Sequence, residues 1–89
     1  MKIPDTVKRI GNHSMFRCKT ETIEMPDNVT VIEPAAFAVS ENLKHIKLSE
    51  NLKIIDSFTF ANCESLENIT IPDGVTIIGF QAFLSCKSL

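Results

Sequence analysis

Five residues of this chain have the chemistry for metal binding or thiol redox work: Cys18, Cys63, Cys86, His13 and His45. Zinc sites usually draw on closely paired ligands such as C-x2-C. Here the closest two cysteines, Cys63 and Cys86, are 23 residues apart. An odd cysteine count without a close pair does not make a disulfide framework either. A Cys63–Cys86 bridge would need the two Cα atoms within about 7 Å. The histidines have no evident carboxylate or nucleophile partner, and no G-x-S-x-G, H-E-x-x-H or phosphate-binding loop occurs. No catalytic residue, metal site or cofactor is therefore expected. The thiols are expected to be small, buried, apolar groups.

The spacing of those cysteines is a clue to architecture. The apolar residues Ile3, Met25, Leu48 and Ile71 each open a similar phrase: "IPDTVKRI", "MPDNVTVI", "LSENLKII" and "IPDGVTII". Their separations are 22, 23 and 23 residues. With this anchor as position 1, position 5 is Val7, Val29, Leu52 and Val75, and position 8 is Ile10, Ile32, Ile55 and Ile78. Position 13 is Met15, Phe37, Phe60 and Phe83, and position 16 is Cys18, Ser40, Cys63 and Cys86. Leu43, Leu66 and Leu89 share position 19, and Ile23, Ile46 and Ile69 share position 22. The first unit lacks one residue between Cys18 and Ile23. The units span approximately 3–24, 25–47, 48–70 and 71–89, the last incomplete. A unit of this length cannot enclose its own apolar face, whereas stacked units turn each column into a ladder through a shared core.

The elements that place the columns follow from local pattern. Leu43 to Leu48 and Leu66 to Ile71 share the form L-x-x-I-x-[L/I], which ends in strand-like alternation. Strands in register from unit to unit pair in parallel. Pro72-Asp73-Gly74 is a turn, and Val75 to Ile78 reads as a second short strand. Position 4 holds Thr6, Asn28, Asn51 and Gly74; Asn and Gly tolerate left-handed backbone, which is expected there. The stretch from position 9 to position 18 has no clean period and is expected to return the chain irregularly or as a single helical turn around Thr59 to Cys63.

Composition narrows the class. With 89 residues and 44% hydrophobic content, the chain makes one domain. A net charge of −2 gives no electrostatic footprint for nucleic acid. No stretch approaches a membrane-spanning length, so no membrane insertion is expected. "MKIPDTVKRIG" lacks the apolar segment of a signal peptide. Three N-x-[ST] sequences, at Asn12, Asn28 and Asn68, matter only in a glycosylating pathway.

The repeated residues resemble the BspA-like leucine-rich repeat family, also called the Treponema pallidum type. Its unit runs approximately I-P-x-x-V-x-x-I-G-x-x-A-F-x-x-C-x-x-L-x-x-I-x. The fourth unit matches at Ile71-Pro72, Val75, Ile78-Gly79, Ala82-Phe83, Cys86 and Leu89. The third has Ser49 for Pro and Asp56 for Gly; the second has Ser40 for Cys; the first has Met15 for Phe and lacks the Leu. The resemblance, over residues 3–89, implies a mainly β, right-handed leucine-rich-repeat solenoid of about four 23-residue units. It also implies a secreted or cell-surface location and a non-catalytic role in binding a protein, such as a host matrix or surface protein.

In such a solenoid the outward residues of the main strands form one continuous surface, the candidate protein-binding face: Thr22, Glu24, His45, Lys47, Asn68 and Thr70. The alternative is a structural spacer that associates only with itself. Neither end of the chain carries a polar cap, since Leu89 stops at a core position. The ends are expected either to continue a longer array or to recruit another copy as a homo-oligomer.

Overall fold

Alternating Ile residues decide where the backbone pairs. The computed structural model describes all 89 residues and contains seven short strands, two in each of the first three units and one in the fourth. They are β1 (Arg9–Ile10), β2 (Thr22–Glu24), β3 (Val31–Ile32), β4 (His45–Lys47), β5 (Ile54–Ile55), β6 (Asn68–Ile69) and β7 (Ile77–Ile78). β2, β4 and β6 form a parallel sheet in which Ile23, Ile46 and Ile69 are aligned. β1 pairs with β3 and β5 with β7, also in parallel, with Ile10 opposite Ile32 and Ile55 opposite Ile78. Each pairing advances by one unit, so the chain is the expected solenoid, 29 × 26 × 21 Å in extent.

The columns converge on one core. Met25, Val29, Phe37, Leu43, Leu52, Ile55, Phe60 and Leu66 are fully buried. The aromatic column is a stack: Phe37 and Phe60 have centroids 5.4 Å apart and rings within 7° of parallel, and Phe60 and Phe83 are 5.5 Å apart at 9°. Coil spacing sets that separation, which lies in the range of offset-stacked rings.

The corner after the main strand closes as expected. Val7, Val29, Leu52 and Val75 each donate N–H to the carbonyl three residues back, at Pro4, Pro26, Ser49 and Pro72. Ser49 replaces proline without leaving its hydroxyl stranded: buried Oγ donates to the Val29 carbonyl at 2.6 Å and accepts the Asn51 N–H at 3.1 Å. The expected left-handed backbone at position 4 is absent, since none of Thr6, Asn28, Asn51 and Gly74 has positive φ. The asparagines act through side chains instead. Asn28 Nδ2 donates to the Asp5 carbonyl, and Asn51 Nδ2 to the Asp27 carbonyl at 2.7 Å.

The return contains no helix, so of the two forms expected for it the irregular one is found and the helical turn around Thr59–Cys63 is not. Left-handed residues interrupt it at positions 11 and 15 of every unit: His13 and Arg17, Ala35 and Val39, Phe58 and Asn62, Gln81 and Ser85. Their φ values lie between 51° and 61°, and none is glycine. Each such L-residue costs roughly 1–2 kcal/mol. The conformation splits the amides into two alternating sets. Those at positions 12, 14 and 16 bond three residues back, as in Ala61 to Phe58 and Cys63 to Phe60. Those at 11, 13 and 15 point along the solenoid axis and donate to the next coil: Ala35 to Ser57, Phe37 to Thr59 and Val39 to Ala61, at 2.7–3.0 Å. Phe58, Phe60 and Asn62 repeat this toward Phe80, Ala82 and Leu84. A helix would satisfy the same groups internally and leave nothing to join the coils.

The residue missing from the first unit leaves a local mark. The Glu21 carbonyl accepts both the Lys44 and the His45 N–H, at 2.7 and 3.2 Å. One coil, shorter by a residue, thus meets two donors of its neighbour with a single acceptor.

Two substitutions test this account. Phe60→Ala removes the middle ring of the stack and should cost about 3–5 kcal/mol in denaturant unfolding; an unchanged midpoint would refute the stack as a core element. Val39 is β-branched in a left-handed conformation that favours Asn, the residue its counterpart Asn62 already supplies. Val39→Asn should therefore stabilise by about 1 kcal/mol, and a lower midpoint would refute the strain assignment.

Candidate functional site

The chemistry-bearing cysteines are structural. At position 16 each side chain donates to the carbonyl at position 13 of the preceding coil: Cys63 Sγ to Phe37 O at 3.3 Å and Cys86 Sγ to Phe60 O at 3.1 Å. Ser40 Oγ makes the same bond to Met15 O at 3.2 Å. What the column requires is a small donor, which is why serine interrupts it without disturbing the fold. All three cysteines are free thiols; Cys63 is buried, while Cys18 and Cys86 are half-buried. Burial pushes the Cys63 thiol from an ordinary 9.0 up to about 12, opposed by a hydrogen bond from the Ser40 backbone and reinforced by Cys86. Burial raises the Cys86 thiol too, partly offset by a bond from the Cys63 backbone. A thiol held neutral in this way is a poor nucleophile and a poor metal ligand. No group of three or more His, Cys, Asp or Glu side chains is placed to hold a metal ion.

The candidate binding face is the outer side of the β2–β4–β6 sheet. Strand register makes it two rows. Thr22, His45 and Asn68 are aligned in one, and Glu24 and Lys47 in the other, which Thr70 continues beyond β6. All six are exposed, and the Ile between the two rows points into the core in β2 and β4. His45 stands at the centre: Nδ1 lies 3.3 Å from Asn68 Oδ1, and Nε2 lies 3.7 Å from Glu67 Oε1. Lys47 Nζ lies 4.0 Å from Asp27 Oδ1, and Lys44 Nζ lies 4.0 Å from Glu21 Oε1. These solvated pairs contribute little stability.

The structure adds a row that the strand pattern alone did not assign to the face. Position 3 of every unit is acidic: Asp5, Asp27, Glu50 and Asp73, all exposed. The pattern was visible as the Asp of each "PD", but it reads there as turn chemistry. Folding brings this row beside Glu24 and Lys47, and Lys2, Asp5, Glu24, Asp27, Asn28 and Lys47 line one open polar depression. Glu50 N–H donates to Asp27 Oδ1 at 2.9 Å, tying one member of the row to the next. The face is thus a flat mixed-charge surface with an acidic rim. It has no deep pocket and no buried reactive group, so its geometry suits contact with another surface.

Comparison with known proteins agrees with this architecture. The family model described as "BspA type Leucine rich repeat region (6 copies)" matches residues 1–89. Comparison with curated proteins gave no match. Among solved structures, a leucine rich cell surface protein from Faecalibacterium prausnitzii is 37% identical with a TM-score of 0.97, over 100% of this chain and 24% of that one. The T. pallidum leucine rich repeat protein is 26% identical with a TM-score of 0.94, over 99% and 44%. A leucine-rich repeat protein from Bacteroides ovatus is 29% identical with a TM-score of 0.81, over 99% and 31%. The chain therefore spans less than half the length of each.

The thiol assignment has a direct test. The folded value of Cys63 exceeds the unfolded one, so the stabilisation from its neutral form is complete below pH 9 and is lost as pH rises toward 12. At about pH 8 Cys63 should resist alkylation in the folded protein and react once the chain is denatured. Cys63→Ser should fold with a smaller loss than Cys63→Ala, which leaves the buried Phe37 carbonyl without this donor and should cost about 1–3 kcal/mol. Rapid labelling of native Cys63, or equal losses in the two variants, would overturn the role given to the column.

Proposed function

The chain belongs to the BspA-type leucine-rich repeat family, and on that premise we propose that it is a non-catalytic protein-binding module. The observation that supports this most is the strand face. Six exposed side chains are set in register on one sheet, while the residues that repeat from unit to unit build the scaffold. Chemistry changes most between copies at outward positions such as His45 and Lys47, while inward positions vary among residues that make the same kind of contact. The similarity to a leucine rich cell surface protein favours display at a cell surface, and the family resemblance suggests a host matrix or surface protein as partner. The acidic rim favours a partner that brings basic side chains to that edge. A longer array would multiply weak contacts of this kind by holding several faces together.

The test is binding of the purified chain to immobilised extracellular-matrix proteins, fibronectin among them. Lys47→Glu with Thr70→Lys inverts the charge pattern at exposed positions and leaves the core untouched. The double variant should keep the parent's melting temperature and lose about tenfold or more in affinity. Binding that the double variant leaves unchanged would refute the strand face. Absence of binding to every protein tested would favour the spacer reading.

A further inference from the structure

Five acid–base pairs lie on the surface, and one differs from the rest in kind. Arg9–Glu33, Lys44–Glu21, Lys47–Asp27 and Lys87–Glu64 each use a lysine or arginine, types that keep their charge across the physiological range. In the fifth, His45–Glu67, the base is a histidine, the side chain type that changes charge between about pH 5 and 8. This pair sits on the candidate binding face. His45 belongs to the middle strand and is aligned between Thr22 and Asn68. Its side chain and that of Glu67 are about half exposed, so a partner can reach both.

The contacts of the ring decide what a proton does there. Nδ1 faces Asn68 Oδ1 at 3.3 Å and Nε2 faces Glu67 Oε1 at 3.7 Å. Both partners are oxygens that accept. A neutral imidazole carries one N–H, so it donates to one of them and turns a lone pair to the other. The shorter contact puts that N–H on Nδ1, which leaves the Nε2 lone pair toward the Glu67 carboxylate. Only the imidazolium donates on both sides. The other charges around the ring are already engaged or stand in the next row. Lys44 and Lys47, its neighbours along the chain, lie against Glu21 and Asp27. On the β2 side, Glu24 lies in the row of Lys47. Lys2 and Met1 share one open depression with His45, Glu24 and Lys47, and the Met1 ammonium donates to the Thr22 carbonyl at 2.7 Å. On the β6 side the charged neighbour is Glu67, and His45 is its one basic partner.

We propose that His45 is a proton-operated switch at the centre of the strand face, which releases a basic partner in mild acid. Neutral, the ring leaves the Glu67 carboxylate open to a basic side chain of the partner. Protonated, it takes up Glu67 and Asn68 and adds a positive charge to the face. Glutamate stays ionised to lower pH than histidine, so the gain of charge on His45 comes first. A solvated pair contributes little to stability, so the switch acts on binding and leaves the fold alone. The proposal rests on the reading that the strand face binds a protein through basic side chains.

Two measurements on the whole 89-residue chain separate the switch from the partner. The first needs no partner. Nitrogen NMR of the imidazole rings should show His45 as the Nδ1–H tautomer at about pH 7.5 and protonated at both nitrogens at about pH 5.5. The Glu67 carboxyl and Asn68 amide signals should move with the ring through the same transition. An Nε2–H tautomer at the higher pH, or Glu67 and Asn68 signals that ignore the ring, would overturn the proposal. The second measurement is calorimetric titration with octalysine as a basic probe at low salt. Its affinity should fall about fivefold between the two pH values. His45→Gln should abolish that fall, and His13→Gln, on the return, should keep it. Glutamine is already the residue at the equivalent position of the fourth unit, Gln81. A fall that His45→Gln leaves intact would overturn the switch. If octalysine fails to bind at either pH while the ring behaves as expected, acid release is overturned, and the fault lies with the basic partner and not with the pair.

Discussion

Every coil of this protein depends on the next for its backbone hydrogen bonds. The main strands pair in parallel on one side and the short strands on another, and in the return alternate amides leave their own turn to reach the following coil. The return is where the dependence costs most. Eight non-glycine residues hold left-handed backbone so that the donors at positions 11, 13 and 15 face along the axis. Buried peptide groups without partners would cost comparable energy each. Strain and satisfaction are therefore two aspects of one design, and neither exists in an isolated unit.

Side chains follow the same logic. A residue type at a given position tends to meet its own kind one coil away, and what persists is the type of contact the position makes. Phe37, Phe60 and Phe83 stack because coil spacing matches ring packing. Cys63, Cys86 and Ser40 share a carbonyl-capping bond although they differ in chemistry. Asn28 and Asn51 reach equivalent carbonyls of the preceding coil, those of Asp5 and Asp27.

The columns were legible in the sequence because burial acts on residue identity. Ile, Val, Leu and Phe recur at fixed spacing, and from them the core, the parallel pairing and the proline corner all follow. The return was not legible for a related reason. Left-handed backbone is usually announced by glycine or asparagine, and here it falls on His13, Ala35, Val39 and Phe58, whose side chains give no such signal. Asn62 is the exception that carries the signal, whereas the asparagines at position 4, Asn28 and Asn51, use their amides and keep ordinary backbone. The two rows of the strand face could be read from alternation alone. The acidic row beside them could not, because each Asp has a sufficient local explanation as a turn residue until the coils are stacked.

Ser40 in the thiol column says something about how such an array can change over generations. Coil junctions are chemically alike, so the sequence between any two equivalent positions can be duplicated or dropped and the new neighbours will find the groups they need. Single-residue slips are a different matter. At the shortened first unit one carbonyl, that of Glu21, has to serve two amides. Length in whole coils is thus evolutionarily cheap, while length in fractions of a coil is penalised, and the outward residues can drift on a frame that keeps its own count.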